Sequence, residues 1–265
     1  MARPRADRVR SRAMRTKTTT NPVFFADEAL LELSDEARRD ALLHDQRSVD
    51  LLTWNLFASL ERHRDRAWLA DRLRLLGGDK VREPIRISLW TGRTREPRLD
   101  PSPRYLALVR ERVERSGTTG DALDEAMREF AQPSEVPVRI ESPDVLCLVD
   151  TYLAGYPVGV GGRDRLLELV DTGLDQAARL GKQLAVAVVY PSGTELGGQV
   201  SARVQALRGG LRQELAHRDR VGDVVLRELS WQQLLKVWES EVDWLDLGGQ
   251  PVKAFLSHCA ALGLR

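Results

Sequence analysis

Cysteine is the scarcest potential metal ligand in this chain of 265 residues, which contains only Cys147 and Cys259. Two cysteines so far apart provide neither the paired spacing of a zinc site nor a disulfide framework. The histidines are equally scattered and form no paired ligand motif: His44, His63, His217 and His258. The composition therefore argues against a zinc-stabilised or disulfide-stabilised fold, and Cys147, inside an apolar run, is expected to be a buried inert thiol.

Long apolar runs are also missing. No run approaches the about 18 residues that a membrane-spanning helix needs, and no hydrophobic region typical of a secretory signal peptide is present. The chain is 42% hydrophobic and 30% charged, which is enough for one sizeable core. We therefore expect a soluble cytoplasmic protein with no membrane partner.

Lysine is rare in this chain, and the positive charge, mostly from arginine, is concentrated at its start. The first twenty residues contain seven basic residues against the single acid Asp7: Arg3, Arg5, Arg8, Arg10, Arg12, Arg15 and Lys17. Because this stretch has no apolar periodicity, residues 1–22 are predicted to be a disordered basic tail that binds nucleic acid through phosphate contacts. A merely solvated N-terminus and a transit peptide are the alternatives.

The central part of the sequence has the pattern of an α/β fold. Short apolar or β-branched runs predict strands at 136–141, 144–150 and 183–190, with weaker ones at 85–90 and 223–229. Residues 163–180 have helical spacing and end at Gly181, so a right-handed crossover should join two parallel strands. We predict a single mixed central sheet flanked by helices. Residues 152–160 are a possible further strand.

Helices are predicted on both sides of this core. Residues 27–43, 49–62 and 67–76 predict an N-terminal helical segment, 23–78, that packs on an α/β core spanning 79–265. Further helices are predicted within that core, the fourth of them with Ser230 as its N-cap: 105–115, 121–130, 199–216, one beginning at 230, and 251–262.

The tripeptide Ser142-Pro143-Asp144 opens the most apolar predicted strand. A carboxylate at the end of a sheet is a suitable oxygen ligand for Mg²⁺, so Asp144 is the candidate metal ligand. The alternative is that Asp144 is a turn residue whose side chain bonds to nearby backbone amides.

The order of these elements resembles the restriction-endonuclease-like, or PD-(D/E)-x-K, nuclease superfamily over roughly residues 48–236. A helix ending in Glu61 precedes the sheet, Pro143-Asp144 opens a buried strand, and a helix containing Gln176 leads into the strand at 183–190. A later strand then runs into the helix that begins at Trp231. The resemblance implies a Mg²⁺-dependent deoxyribonuclease with Asp144 as metal ligand, Glu61 as accessory acid and Lys182 as a displaced charge donor.

The sequence departs from the nuclease pattern at the catalytic strand. Active members carry an acid, a spacer and a lysine where this chain has Pro157, Val158 and Gly159, which offer no side-chain oxygen or ammonium group. Asp150 and Glu141 are candidates for migrated acids, although Asp144 and Asp150 would lie about 20 Å apart along one strand. Lys182 is equally well placed to interact with the C-terminal end of the preceding helix.

A phosphate-binding loop is a further interpretation that stays open at the level of sequence. The glycine-rich run 155–162, followed by Arg163 and Arg165, has some features of a phosphate-binding loop but lacks the spacing of the known ones.

The expected function is a nuclease-fold protein associated with nucleic acid, with weak or lost hydrolysis. The alternative is a non-catalytic scaffold with a protein partner, or a homodimer, within a larger assembly.

Overall fold

Five strands form one mixed sheet in the computed structural model, which describes residues 20–33, 35–154, 164–218 and 221–265. The strands lie in the order β1-β2-β3-β4-β5. β1, β2 and β3 are antiparallel neighbours, whereas β3, β4 and β5 run parallel. Their bounds are Arg86–Thr91, Val136–Glu141, Val145–Thr151, Gln183–Tyr190 and Val225–Ser230. The predicted single mixed sheet is confirmed, with strand ends displaced by a residue or two.

Helices flank the sheet in the described part of the chain. Four precede β1 and four lie between β1 and β5, with α7 joining the parallel pair β3 and β4. In chain order α1 to α10 are Ala26–Glu32, Glu36–His44, Val49–Glu61, Arg66–Gly77, Pro103–Arg115, Asp121–Phe130, Arg165–Leu180, Glu195–Glu214, Trp231–Glu239 and Gly249–Ala261.

The strand register defines two ends of the sheet. Arg86 pairs with Glu141, and Val145 pairs with Gln183, so the starts of β1, β3 and β4 meet the end of β2. We call this side the amino edge, because the parallel strands begin there. The opposite side, where β3 and β4 end and β2 begins, is the carboxyl edge.

Alternation along β3 divides the interior into two cores. Val145, Cys147 and Val149 belong to a core that includes apolar residues of α1 to α4, α9 and α10. Leu146 and Leu148 belong to the other core, which includes residues of α5 to α8. The predicted N-terminal helical segment therefore packs on the sheet. Burial of Cys147 raises the pKa of its thiol to about 12, so this cysteine is an inert core residue at neutral pH.

The crossover helix α7 lies very close to the sheet. Asp164 caps its start by accepting a hydrogen bond from the backbone of Leu167, and Gly181 ends it in the left-handed conformation, with φ of 65°. Gly173 faces the strands, and a Cβ atom there would lie 2.9 Å from a Leu148 methyl carbon and 2.8 Å from one of Leu184. A glycine is therefore required for this approach of helix to sheet.

The predicted helix at 27–43 is wrong as a single element, since the structure forms two helices, α1 and α2. Leu33 is extended, with φ of −85° and ψ of 118°. Asp35 then begins α2, because its carboxylate accepts hydrogen bonds from the backbone amides of Ala37 and Arg38. N-capping by a short acidic side chain thus interrupts an otherwise helical pattern.

Two other predicted segments lie partly or wholly outside the described residues. Residues 152–154 follow β3 without strand structure, and the rest of the possible strand at 152–160 is beyond the described ranges. The tail is described only from residue 20 onward, where Asn21 hydrogen-bonds to the backbone of Leu42, Leu43 and Asp45. Within the described ranges, no helix has the length and apolar character to cross a bilayer.

Candidate functional site

Asp144 is a partly exposed residue in the bend at the amino edge, immediately before β3. Its carboxylate accepts a hydrogen bond from Nε of Arg82. This bond holds the pKa of Asp144 below its ordinary value, with further help from the charges of Lys80 and Lys182. Its backbone carbonyl accepts from the amide of Gln183 at 2.8 Å, which joins the starts of β3 and β4.

Lys182 lies beside Asp144, at the start of β4. Its ammonium group donates to Oε1 of Glu141 at 2.7 Å, and the other Glu141 oxygen accepts from Arg139 at 2.9 Å. Burial alone would raise the pKa of Glu141, but these two cationic partners lower it below its ordinary value. The backbone amide of Lys182 also closes the end of α7 on the Ala177 carbonyl at 2.9 Å.

Glu61 ends α3 over the first residues of β1. Its Oε2 accepts from the backbone amide of Ile87 at 3.0 Å, and its Oε1 lies 3.5 Å from the Arg66 guanidinium. Burial raises the pKa of Glu61 despite both partners. Arg66 also donates to the Ile85 carbonyl at 2.6 Å, so the pair Glu61 and Arg66 is bound to the outer side of the edge strand.

The structure therefore brings Asp144 and Lys182 together and places Glu61 at the same edge, but each charge has its own partner within the chain. In the described ranges, no three acidic, histidine or cysteine residues are grouped closely enough to hold a metal ion. Of the predicted donor set, Asp144 is paired with Arg82 and Glu61 is bound to Arg66 and the Ile87 amide, so these residues as placed do not fit a Mg²⁺ ion.

Some of the predicted residues lie outside the described ranges. The basic residues proposed to contact nucleic acid all precede residue 20 and lie outside the described ranges: Arg3, Arg5, Arg8, Arg10, Arg12, Arg15 and Lys17. Pro157, Gly159, Arg163 and the glycine-rich run stand between β3 and α7 in the sequence, and they also lie outside the described ranges.

The carboxyl edge holds a denser group of charges, which begins with Asp150 near the end of β3. Asp150 is 1% exposed, and Nε of Arg165 donates to both of its oxygens, at 2.8 and 2.9 Å. The hydroxyl of Tyr152 donates to the same carboxylate. Burial and the neighbouring Asp150 charge raise the pKa of Tyr152 well above its ordinary value. The tyrosine is therefore a hydrogen-bond donor at any physiological pH.

Two further acids, Asp50 and Glu135, lie beside the Asp150 group. Arg38 of α2 donates to both oxygens of Asp50, at 2.8 and 3.0 Å, and also to Glu135, just before β2. The indole of Trp90 donates to Asp50 at 3.0 Å, and the Arg38 guanidinium lies 5.7 Å from a Trp90 ring centre. Asp50 and Glu135 are only 16% and 20% exposed, so their charges are substantially desolvated.

These two halves form one network. Arg165 donates from Nη2 to the backbone carbonyl of Glu135 at 2.8 Å, which connects the Asp150 pair to the Arg38 group. We call Arg38, Asp50, Glu135, Asp150 and Arg165 the carboxyl-edge cluster. Its formal charge is −1, from three carboxylates and two guanidinium groups. Arg38 binds Asp50 bidentately through two nitrogens, whereas Asp150 shares the single Nε of Arg165 and Glu135 accepts through one oxygen; these bonds hold the three carboxylates in place.

Sequence reasoning identified only Asp150 and Arg165 in the carboxyl-edge cluster, and assigned them different roles. Asp50 is in the first turn of α3, where an acid ordinarily interacts with the helix dipole. Glu135 precedes a strand and has no local pattern. The one available indication was Asp150 itself, since an acid within a fully buried strand needs a charged partner.

The chain was compared with known proteins at three levels, and each comparison had the same outcome. No protein-family model matches it, and neither the curated proteins nor the solved structures include a significant match. Its function must therefore be inferred from the geometry of its own residues.

Proposed function

We propose that this chain is a nuclease-fold protein associated with nucleic acid, in which Mg²⁺-dependent phosphodiester hydrolysis is weak or lost. The order of elements supports the proposal. A helix ending in an acid precedes β1, Pro143-Asp144 opens β3, α7 crosses over to β4, and β5 leads into α9. This is the order implied by the resemblance to the restriction-endonuclease-like superfamily, and a fold alone does not determine activity.

The proposed loss of activity is supported by one observation, the pairing of acids with arginines. Asp50, Glu135 and Asp150 come from separate elements of the carboxyl edge and do not form a metal-binding group, and each is bound by Arg38 or Arg165. A Mg²⁺ ion requires carboxylate oxygens at about 2.0–2.1 Å in octahedral geometry. Here it would have to displace a guanidinium group from a partly desolvated pair, and the resulting unpaired arginine would offset the gain.

A nuclease assay tests this part of the proposal. We expect little or no cleavage of plasmid or single-stranded DNA at millimolar Mg²⁺, and no difference between wild type and Asp150→Asn. Asp144→Ala serves as the control at the other end of the same strand. Robust wild-type cleavage that disappears in either variant would contradict the proposal and identify the metal-binding end of β3.

Association with nucleic acid is proposed from the seven basic residues before residue 20. Phosphate contacts by such residues give an affinity that falls as salt is added. The logarithm of the binding constant decreases with the logarithm of the salt concentration, with a slope of about 0.7 to 0.9 per contact. We expect the full chain to bind single-stranded and duplex DNA without sequence preference. A variant with all seven changed to glutamine should bind more weakly and with a flatter salt dependence. Identical slopes for the two proteins would refute this role.

A non-catalytic scaffold is the second candidate, because the charged side chains described at both edges already have partners within the chain. The two candidates differ in one measurement. A scaffold should show no binding to nucleic acid even at low salt, whereas the first candidate requires salt-dependent binding by the full chain.

A further inference from the structure

Trp244 is set apart from the other tryptophans of the chain by its exposure. Four of them are at most 3% exposed: Trp54, Trp90, Trp231 and Trp238. Trp68 is half-buried and stacks on His63, with ring centres 4.3 Å apart. Trp244 belongs to a single 3₁₀ turn after α9, is 68% exposed and has no ring contact within the described ranges. Large exposed aromatic side chains commonly anchor a binding partner, so this turn is a candidate interaction surface.

The sequence around Trp244 is acidic. Residues 237–252 contain no basic residue and four acids: Glu239, Glu241, Asp243 and Asp246. The first two have cationic neighbours, because Glu239 pairs with Arg265 at 2.7 Å and Glu241 lies 3.5 Å from Nε2 of His63. Asp243 and Asp246 are exposed, and neither forms an ion pair with another described residue. We call Asp243, Trp244 and Asp246 the Trp244 face, which offers an aromatic ring and two carboxylates to a partner.

Arginine is the side chain best suited to this face, because its planar guanidinium stacks on aromatic rings and also binds carboxylates. The same fold shows the first of these contacts three times. A guanidinium lies 4.0 to 5.7 Å from a ring centre in each of these pairs: Arg62 and Phe25, Arg72 and Trp68, Arg38 and Trp90. None of the described cationic side chains lies over the ring of Trp244. The chemistry of the face therefore favours an arginine-rich partner.

The chain itself supplies such a segment, which enters the fold next to α9. Residues 1–19 contain six arginines and one lysine against the single acid Asp7. Phe24, just after them, packs on α9 and α10, with its ring 5.9 Å from that of Trp238 and 5.3 Å from that of Phe255.

The length of this segment is sufficient for it to reach the Trp244 face. Residue 20 is four residues from Phe24, and Trp244 is six residues from Trp238. The two positions therefore lie within about 14 Å and about 22 Å of these packed aromatic residues along the backbone. Nineteen residues span up to about 65 Å when extended, so the arginines can be placed on Trp244.

We propose that the Trp244 face is a docking surface for the basic residues 1–19 of the same chain. Arginines of this segment stack on Trp244 and pair with Asp243 and Asp246. Single ion pairs at an exposed surface are weak, but attachment to the fold gives the segment an effective concentration of about millimolar at the face. Nucleic acid phosphates compete for the same cations, so docking lowers the affinity for nucleic acid. This competition rests on the proposed function, whereas the docking contact does not.

Paramagnetic broadening detects the contact in the full chain. Ser11→Cys accepts a nitroxide spin label, while Cys147 and Cys259 are buried and stay unlabelled. At low salt we expect strong broadening of the Trp244 indole NMR signal, which is identified by its disappearance in Trp244→Phe. The broadening should weaken at about 1 M salt, where the Debye length falls to about 3 Å and exposed charges are screened.

Charge variants show whether the Trp244 face is responsible. Asp243→Asn combined with Asp246→Asn should remove most of the broadening, because the arginines lose both carboxylates. The matched control is Asp121→Asn combined with Asp124→Asn. These two exposed acids have the same spacing on α6, whose apolar residues belong to the core on the other side of the sheet. The control should leave the broadening unchanged.

Single-stranded DNA separates the docking contact from the proposed function. Where the segment binds phosphates, added DNA should reverse the broadening. The double variant at 243 and 246 should then bind DNA about two- to fivefold more tightly than the control variant, because its basic segment is no longer partly occupied. Broadening that DNA does not reverse supports the docking contact and contradicts the proposed role of the segment in nucleic acid binding.

The docking surface is overturned by any of three results. One is a Trp244 signal that the label does not broaden at low salt. Another is the same degree of broadening in the two double variants, which would show that Asp243 and Asp246 are not the partners. The third comes from a mixture of spin-labelled chains with unlabelled, ¹⁵N-enriched chains: broadening of the enriched chains would place the segment on a second copy and not on its own fold.

Discussion

The two edges of the sheet hold similar residues in different surroundings. At the amino edge, Asp144 and Arg82 form a pair whose side chains are 44% and 63% exposed. At the carboxyl edge, Asp150 is 1% exposed and both of its oxygens are bound by Arg165. Both aspartates lie on or next to β3, so the chemistry of the residue is constant and only its burial changes.

This difference shows where charge has energetic weight in the fold. Water screens an exposed pair and solvates each partner when the other is removed, so its net contribution is small. A buried carboxylate that loses its partner has no such alternative. The carboxyl-edge cluster is therefore the structurally important group, although local sequence patterns favour Asp144.

The largest expected effect is at the buried end of β3. Asp150→Ala leaves the Arg165 guanidinium and the Tyr152 hydroxyl without their shared acceptor, and we expect the free energy of unfolding to fall by about 3 to 5 kcal/mol. Urea denaturation followed by circular dichroism measures this loss.

Asp144→Ala, at the exposed start of the same strand, is the matched control and should leave the urea midpoint unchanged. If the two variants are equally stable, burial does not distinguish the two edges and the comparison fails.

An intermediate effect is expected for Arg38, the partly exposed bridge between Asp50 and Glu135. Arg38→Ala should lower the free energy of unfolding by about 1 to 3 kcal/mol, because two desolvated carboxylates lose a charged donor. Arg38→Lys keeps the charge but not the bidentate geometry, so its midpoint should fall between those of the wild type and the alanine variant. A lysine variant as unstable as alanine would show that geometry, and not charge, is what matters there.

A smaller, pH-dependent effect is expected for Lys182. Lys182 and Arg139 lower the pKa of Glu141, so their stabilisation is complete above the unfolded-state value of about 4.3 and is lost as the pH falls through the lowered folded-state value. Lys182→Gln should therefore cost at most about 1 kcal/mol at pH 7, and the difference from wild type should shrink below about pH 4. A difference that stays constant from pH 7 to pH 3 would exclude Glu141 as the group responsible.

The smallest effect is expected for Glu61, whose folded-state pKa is raised mainly by burial. A raised carboxyl pKa favours folding below the unfolded-state value and opposes it as the pH rises through the folded-state value. Glu61→Gln keeps an acceptor for the Ile87 amide and removes the partly desolvated charge. Its stability at pH 7 should equal or slightly exceed that of the wild type, within about 0.5 kcal/mol, as differential scanning calorimetry would show.

The strands were predictable because their signals are local. β3 and β4 contain the apolar runs 145–149 and 184–189, which are buried on both faces, and prolines, glycines or acids stand near their ends. The division between α1 and α2 was missed, although Asp35 carried a capping signal. Capping competes with helical periodicity over a few residues, and periodicity was given more weight.

The carboxyl-edge cluster could not be predicted in the same way. Its acids are at positions 50, 135 and 150, and only the register that pairs Val138 with Val149 brings the start of β2 to the end of β3. Each acid has an ordinary local explanation when it is considered alone. The tertiary arrangement, and not any local pattern, gives them a common location.

The attachment of Glu61 to β1 has a consequence for how copies of this protein meet. β1 is the outermost strand on its side of the sheet, and its Ile87 amide is directed to Glu61 and not to a neighbouring strand. Unpaired amides on an outer strand are the points at which sheets from different molecules join and aggregate. Glu61 at the end of α3 bonds to this amide, and Arg66 at the start of α4 bonds to the carbonyl of Ile85 just before β1, so the two helices cover the beginning of the outer strand against edge-to-edge pairing.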